Sequence, residues 1–243
     1  MNIPWLGPND PLPPVDRALR RPNGLLAAGG GLAVPRLIEA YSHGCFPWFN
    51  EGEPVLWWSP DPRMVLVPGD LHVSRSLLKR IRHGGFTVRA DTAFRDVMEA
   101  CAAPRPGQSG TWITGEMIEA YGALHDAGRA HSIETWVGNE LVGGLYGVAI
   151  GRAFFGESMF ARVSDASKLA FVYLVSQLER WEFGVIDCQM NTAHLAAFGA
   201  REIPRRAFLD LVRTHTGRSS AHAPWQLDSD LASHLLSRQA HAE

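Results

Sequence analysis

Lysine is almost missing. Of 23 basic residues only Lys79 and Lys168 are lysines, and neither stands beside the Gly29-Gly30-Gly31 run, which also follows no strand pattern; a phosphate-cradling P-loop is not expected. Cysteine is scarce too. Cys45, Cys101 and Cys188 stand far apart, so there is no C-x-x-C pair and no disulfide framework, and a reducing cytoplasm is the expected compartment. No apolar run reaches the roughly 18 residues of a membrane span. The stretch Met1 to Pro14 lacks a basic segment followed by an apolar one, so no secretory signal is expected. Charge of one sign is also lacking. A formal net charge of −2 excludes a basic coat for nucleic acid, and any RNA contact must come from a local patch. What remains is ample for burial: 243 residues, 46% of them hydrophobic, fit one large or two small domains.

No internal repeat is visible. Residues 1–65 read as a small N-terminal domain, rich in proline and turns, with one short helix around Leu37, Ile38 and Tyr41 that has Pro35 in its first turn. Residues 66–215 are more regular. Ser74 predicts the cap of a helix whose inner face is Leu77, Leu78 and Ile81 and whose opposite face carries Arg75, Lys79 and Arg82. A strand follows over Phe86 to Ala90, then a helix through Phe94, Val97, Met98 and Cys101. Another helix is capped by Thr114, with Ile118, Tyr121 and Leu124 apolar. A three-stranded meander over residues 131–160 turns at Gly138-Asn139 and Gly151-Arg152. Ser164 or Asp165 caps a long apolar helix to about Trp181. Gly184 to Met190 forms a strand, and Asn191 caps a short helix that stops at Gly199. Phe208 and Leu209 belong to a last helix, and residues 216–243 read as a polar, frayed tail. The fold class is α+β around one mostly antiparallel sheet.

In the strand Gly184 to Met190, strict alternation puts Ile186, Cys188 and Met190 on one face and Asp187 with Gln189 on the other. Such a polar pair is either a satisfied network or the wall of a cleft. Glu157 shares its predicted face with Phe155 and Met159. A carboxylate among such side chains neutralises or pairs with a cation, from an internal arginine or from a substrate. Trp48, between Pro47 and Phe49, and Trp112, just before a helix, are structural or are platforms for a nucleobase. His131 and Glu134, taken with His72, His83 or His125, match no zinc spacing, so no metal is expected. Helices, strands, helix and strand in this order resemble the GNAT acyltransferase superfamily. Asp165 and Ser167 stand where that superfamily's glycines cradle the coenzyme A pyrophosphate, which disfavours coenzyme A.

Several motifs then occur in a specific order: Leu25-Leu26-Ala27, Gly44-Cys45-Phe46-Pro47-Trp48-Phe49, Trp57-Trp58-Ser59-Pro60-Asp61-Pro62-Arg63, Gly110-Thr111-Trp112-Ile113-Thr114, Ala130-His131-Ser132-Ile133-Glu134, Gly156-Glu157-Ser158-Met159-Phe160 and Ile186-Asp187-Cys188-Gln189. Through them the chain resembles the leucyl/phenylalanyl-tRNA–protein transferases from about residue 4 to 213. The resemblance implies a cytoplasmic, cofactor-free enzyme with a small N-terminal domain and a GNAT-like domain, and a monomer is expected. Its partners would be Leu-tRNA and Phe-tRNA, and proteins whose N-terminal residue is Arg or Lys, which the added residue marks for degradation by the N-degron pathway. Methionine would be transferred less readily. Asp187 and Gln189 would be the catalytic pair, and Glu157 would recognise the acceptor end. Trp48 and Trp112 would contact the terminal adenosine, and Tyr121 would join the substrate site. Leu145, Phe154, Ser158, Met159 and Leu174 would shape the pocket for the transferred side chain, with Leu174 replacing the family's usual phenylalanine. Arg75, Lys79 and Arg82 would hold the tRNA backbone. Two other classes stay in view: an N-acyltransferase using acyl-coenzyme A, and a noncatalytic RNA-binding module.

Overall fold

A computed structural model describes residues 3–104, 111–219 and 225–238. The first segment builds a small sheet from β1 (Trp5–Leu6), β2 (Leu25–Gly29), β3 (Phe46–Pro47) and β4 (Leu56–Trp58), in the order β1-β2-β4-β3. Helix α1 (Val34–Ser42) crosses between β2 and β3. Pro35 sits in its first turn, where a missing N–H costs nothing, and Leu37, Ala40 and Tyr41 are its buried residues of apolar type. Strand β5 (Arg63–Leu66) already belongs to the second, larger sheet.

Helix α2 (Arg75–His83) starts where the Ser74 side chain accepts a hydrogen bond from the Leu77 amide (3.3 Å). Strand β6 (Thr87–Ala90) and helices α3 (Phe94–Ala102) and α4 (Gly115–Asp126) follow; Thr114 caps α4 in the same way. The meander is β7 (Ala130–Val137), β8 (Glu140–Ile150) and β9 (Ala153–Ala161). Helix α5 (Ala166–Arg180) then crosses to β10 (Val185–Gln189), which runs parallel to β9. Helix α6 (Ala193–Ala196), strand β11 (Arg201–Ile203), and helices α7 (Arg205–Thr216) and α8 (Leu231–Arg238) complete the chain. The seven-stranded sheet has the order β11-β5-β10-β9-β8-β7-β6, antiparallel except at β9/β10.

The sheet separates two cores. One joins the small sheet, α1, α3 and α4 through Trp57, Tyr41, Met98, Tyr121, Tyr146 and Phe155. The other packs α2, α5 and α8 through Leu77, Ile81, Phe154, Leu174 and Ile186. The N-terminal segment therefore shares its core with the larger sheet.

Five local expectations change. The glycine run does follow a strand, since β2 ends at Gly29, although no lysine stands beside it. Asp165 occupies the cap position of α5 with φ +65°, but its carboxylate does not cap: it accepts from Lys168 Nζ (2.7 Å). Thr192, not Asn191, caps α6 through the Leu195 amide (3.2 Å). The C-terminal tail is not wholly frayed, because Trp225, Leu231 and Leu235 are buried and α8 packs on α2 and α5. Removing roughly 150–250 Å² of one tryptophan from water contributes about 4–6 kcal/mol toward ordering it. Finally, among the described residues strand register shifts at four places, and two of these irregularities fall in the site.

Candidate active site

Strand β10 ends in an irregularity. Asp187 pairs with Val65 and Gln189 pairs with Met64, so Cys188 has no partner residue on β5. Gln189 takes φ +58°, left-handed backbone that a side-chain-bearing residue adopts only under constraint. Asp187 supplies part of that constraint: its Oδ1 accepts the Gln189 amide at 2.8 Å. The same carboxylate takes two bonds from Arg63 on β5, Nε to Oδ1 (2.8 Å) and Nη2 to Oδ2 (2.6 Å). The guanidinium lies 4.7 Å from the Phe46 ring centroid and 4.6 Å from that of Phe208. Both ends of the pair are buried, 0% and 1% exposed, so removing either partner strands a charge in the interior.

The second bulge makes Glu157. In the β8/β9 register Tyr146 faces Ser158 and Gly147 faces Gly156, leaving Glu157 as the extra residue. That overturns the expected common face: Phe155 belongs to the core beneath the small sheet, whereas Met159 packs against the other. Glu157 goes with Phe155. Its Oε1 accepts from Gln189 Nε2 (2.9 Å) and lies 2.8 Å from Tyr41 Oη, and its Oε2 lies 3.2 Å from Tyr121 Oη, within hydrogen-bond reach of both hydroxyls. The two tyrosine hydroxyls also bond each other. Burial pushes the Glu157 pKa up to about 8, against the opposing tyrosine hydrogen bonds, so the carboxyl is mostly neutral at pH 7. Of the internal arginines, Arg63 belongs to Asp187.

A cavity of about 460 Å³ opens beside this chain, within the usual size of ligand sites. Trp48, Trp112, Leu145, Phe154, Glu157, Ser158, Met159, Leu174, Asp187 and Gln189 all line it. Trp48 is 44% exposed and Met190 59% exposed, and the Trp48 ring meets Trp58 edge-on at 5.5 Å. Tyr121 is fully buried and does not line the cavity; it reaches the site through Glu157. Arg75, Lys79 and Arg82 also lie outside it, on the exposed side of α2. Gly110 lies outside the described residues.

Sequence reasoning missed three residues here. Arg63 opens an apolar strand, and a cation there signals a buried carboxylate. Tyr41 sits on an apolar helix face, where its hydroxyl is invisible to hydrophobic periodicity. Phe171, one turn before Leu174 on α5, adds an aromatic wall. The histidines form separate networks. His131 Nδ1 donates to Asp91 Oδ2 (2.8 Å), while Glu134 accepts from Thr92 Oγ1 (2.7 Å) and Ser132 Oγ (2.6 Å). Among the described residues no cluster of three or more His, Cys, Asp or Glu is placed to hold a metal ion, and no helix is long and apolar enough to cross a membrane.

The Cys188 thiol lines the same cavity, but burial first and the Asp187 charge second push its pKa up and keep it protonated. The polar groups are arranged to position rather than to attack. This is the division of labour of a group-transfer enzyme whose substrates bring the reacting atoms.

Two family profiles cover most of the chain. One, described as leucyl/phenylalanyl-tRNA protein transferase, matches residues 65–213, and its N-terminal-domain counterpart matches residues 30–61. The leucyl/phenylalanyl-tRNA–protein transferase of Nitrosospira multiformis is 60% identical over 94% of this chain and 98% of its own length. That of Stutzerimonas stutzeri is 58% identical over 92% and 99%. The chain belongs to the leucyl/phenylalanyl-tRNA protein transferase family. Among solved structures, L-PGS from Bacillus licheniformis superposes with a TM-score of 0.36 at 12% identity, over 63% of this chain and 56% of that one, too loosely to support any argument.

Proposed function

We propose that this chain moves leucine or phenylalanine, and methionine less readily, from aminoacyl-tRNA to the N-terminal Arg or Lys of acceptor proteins, marking them for N-degron degradation. The observation that carries the reading is the hydrogen-bonded chain Asp187–Gln189–Glu157 along one side of an apolar cavity. In this reading residues 1–65 form the small domain that supplies Trp48, and residues 66–215 a GNAT-like acyltransferase domain whose β9 and β10 hold the site. The enzyme works in the cytoplasm as a monomer and without a cofactor.

The chemistry needs little acid–base force. The donor ester is already activated, and a terminal α-amine, with a pKa of about 7.7–8.0, is partly neutral near pH 7. The amine attacks the ester carbonyl, the amide bond forms, the bond to the ribose oxygen breaks, and the amine's proton leaves as that oxygen gains one. Asp187, engaged by Arg63 and by the Gln189 amide, orients Gln189. Gln189 positions the amine against the carbonyl. Leu145, Phe154, Ser158, Met159 and Leu174 receive the transferred side chain, and Trp48 and Trp112 stack on the terminal adenosine. Glu157, neutral when empty, ionises as the acceptor's cationic side chain arrives, and Tyr41 and Tyr121 then stabilise the anion. Arg75, Lys79 and Arg82 hold tRNA phosphates. A transfer assay with radiolabelled Leu-tRNA tests this: label enters a peptide beginning with Arg and not one beginning with Ala. Equal labelling of both removes the acceptor assignment, and absence of labelling removes the reading.

A further inference from the structure

Residues 225–238 lie beyond both family profiles, yet they are tied to the cavity from behind. Trp225 is 3% exposed and lies outside the cavity lining, with its ring centroid 5.9 Å from that of Phe154, which does line the cavity. Trp225 is fixed on other sides. It stacks on His131 at 3.9 Å with only 4° between the planes, and it meets Trp181 at 5.1 Å and Phe183 at 6.2 Å. Beneath Phe154 the backbone leaves no slack: a Cβ on Gly147 would come within 2.5 Å of the Phe154 ring. The residues that follow Trp225 bind α5, the helix carrying Phe171 and Leu174. The Asp228 amide donates to Gln177 Oε1 (2.7 Å), and Arg180 bridges Asp228 (2.7 Å) and Asp230 (2.6 Å). Two walls of the cavity, one on β9 and one on α5, thus rest on a single C-terminal segment.

We propose that residues 225–238 act as a strap that sets the depth of the aminoacyl pocket, with Trp225 as a positioning residue for Phe154 and thereby a determinant of Leu-versus-Phe selectivity. The proposal rests on the pocket assignment above. Trp225 touches no substrate. Its ring limits how far Phe154 can retreat, and a transferred side chain as large as phenylalanine needs more of that retreat than leucine does. The strap acts on the donor side, since the side chain it meets is Phe154 at the start of β9, whereas Glu157 lies at the mid-strand bulge and Gln189 at the end of β10.

The test uses the full chain with Leu-tRNA and Phe-tRNA as donors. Trp225→Ala should raise the Phe/Leu ratio of kcat/KM by at least about threefold, within the range one side chain's worth of pocket volume commands. The KM for an Arg-initiated peptide should stay put, and Trp225→Phe should restore most of the wild-type ratio. In a Phe154→Ala background the effect of Trp225→Ala on the ratio should vanish. A purely structural role would cut the active fraction and lower both donors alike, so an unchanged ratio, or one that shifts equally with and without Phe154, overturns the proposal. Where the alanine variant does not fold, Trp225→Leu is read by the same ratio. If the wild-type protein transfers nothing, it is the transferase reading that fails. Binding of leucyl- and phenylalanyl-adenosine by calorimetry then reads the strap independently, and equal discrimination in wild type and variant counts against it.

Discussion

Arg63 and Asp187 stand 124 positions apart in the chain and meet through two hydrogen bonds of 2.8 and 2.6 Å in the interior. The pair joins β5 to β10 and, through the amide of Gln189, holds the left-handed turn that aims Gln189 at Glu157.

Removing the carboxylate has two separable effects. Asp187→Ala leaves a buried guanidinium unpaired and should cost about 3–5 kcal/mol of stability, seen as an earlier urea midpoint. Asp187→Asn keeps an acceptor for the Gln189 amide but also leaves the Arg63 charge uncompensated, so it too loses stability; in the fraction shown to be folded by circular dichroism, transfer should fall at least about tenfold, or 1.4 kcal/mol of barrier. Full activity in folded Asp187→Asn would separate the carboxylate charge from catalysis.

Glu157 carries a pH signature. With its pKa pushed up to about 8, the empty site holds a proton that a bound cation must displace. Affinity for an Arg-initiated peptide should climb by up to about tenfold per pH unit from roughly pH 6 and level off above 8. Calorimetry with an unreactive acceptor reads this without interference from the chemical step. Glu157→Gln should weaken and flatten the profile while leaving tRNA affinity in place; a loss of tRNA affinity with peptide affinity intact would reverse the assignment.

The same carboxyl affects folding with a definite sign. Its folded pKa lies above its unfolded value, near 4.3, so the folded state binds more protons across that window and loses stability as pH rises toward 8. Glu157→Gln has no such term. Its stability relative to wild type should improve between about pH 5 and 8 and stay constant beyond. A difference that does not change with pH would place an ionised carboxylate in the empty site.

How much of this was readable in sequence divides along one physical line. Ser74 and Thr114 announce their helices because a cap is a local hydrogen bond, and the meander is legible from its turns. The bulges at Glu157 and after Asp187 are not, because an extra residue in a ladder is defined by the partner strand. Period-two reasoning therefore singled out Asp187, Gln189 and Glu157 but misplaced Glu157 beside Met159. Arg63, Tyr41 and Trp225 escaped for a related reason: each matters through a residue far away in the chain.

The cavity wall on α5 predicts a selectivity change. Leu174→Ala enlarges the pocket and should favour Phe or Trp donors over Leu, by about 1–3 kcal/mol at most. Competition between charged tRNAs measures it, and an unchanged ranking would take Leu174 out of contact with the side chain.

The exposed side of α2 predicts a salt effect. Arg75→Ala with Lys79→Ala should weaken all charged tRNAs alike and flatten the log–log salt slope by up to about two units, at roughly 0.7–0.9 per phosphate contact. A minimal aminoacyl-adenosine donor lacks those phosphates and should be used as before. Equal loss with both donors would make the helix a support of the fold.

The central claim is that Gln189, held by Asp187, presents the acceptor's α-amine to the donor ester. It is tested most directly by mass spectrometry of an Arg-initiated peptide after incubation with Leu-tRNA. Wild type should add one leucine residue to the α-amine, add nothing to the N-acetylated peptide, and lose at least about tenfold in rate in folded Gln189→Ala, with peptide and tRNA binding retained. Unchanged transfer by Gln189→Ala, or leucine appearing on the blocked peptide, would contradict it.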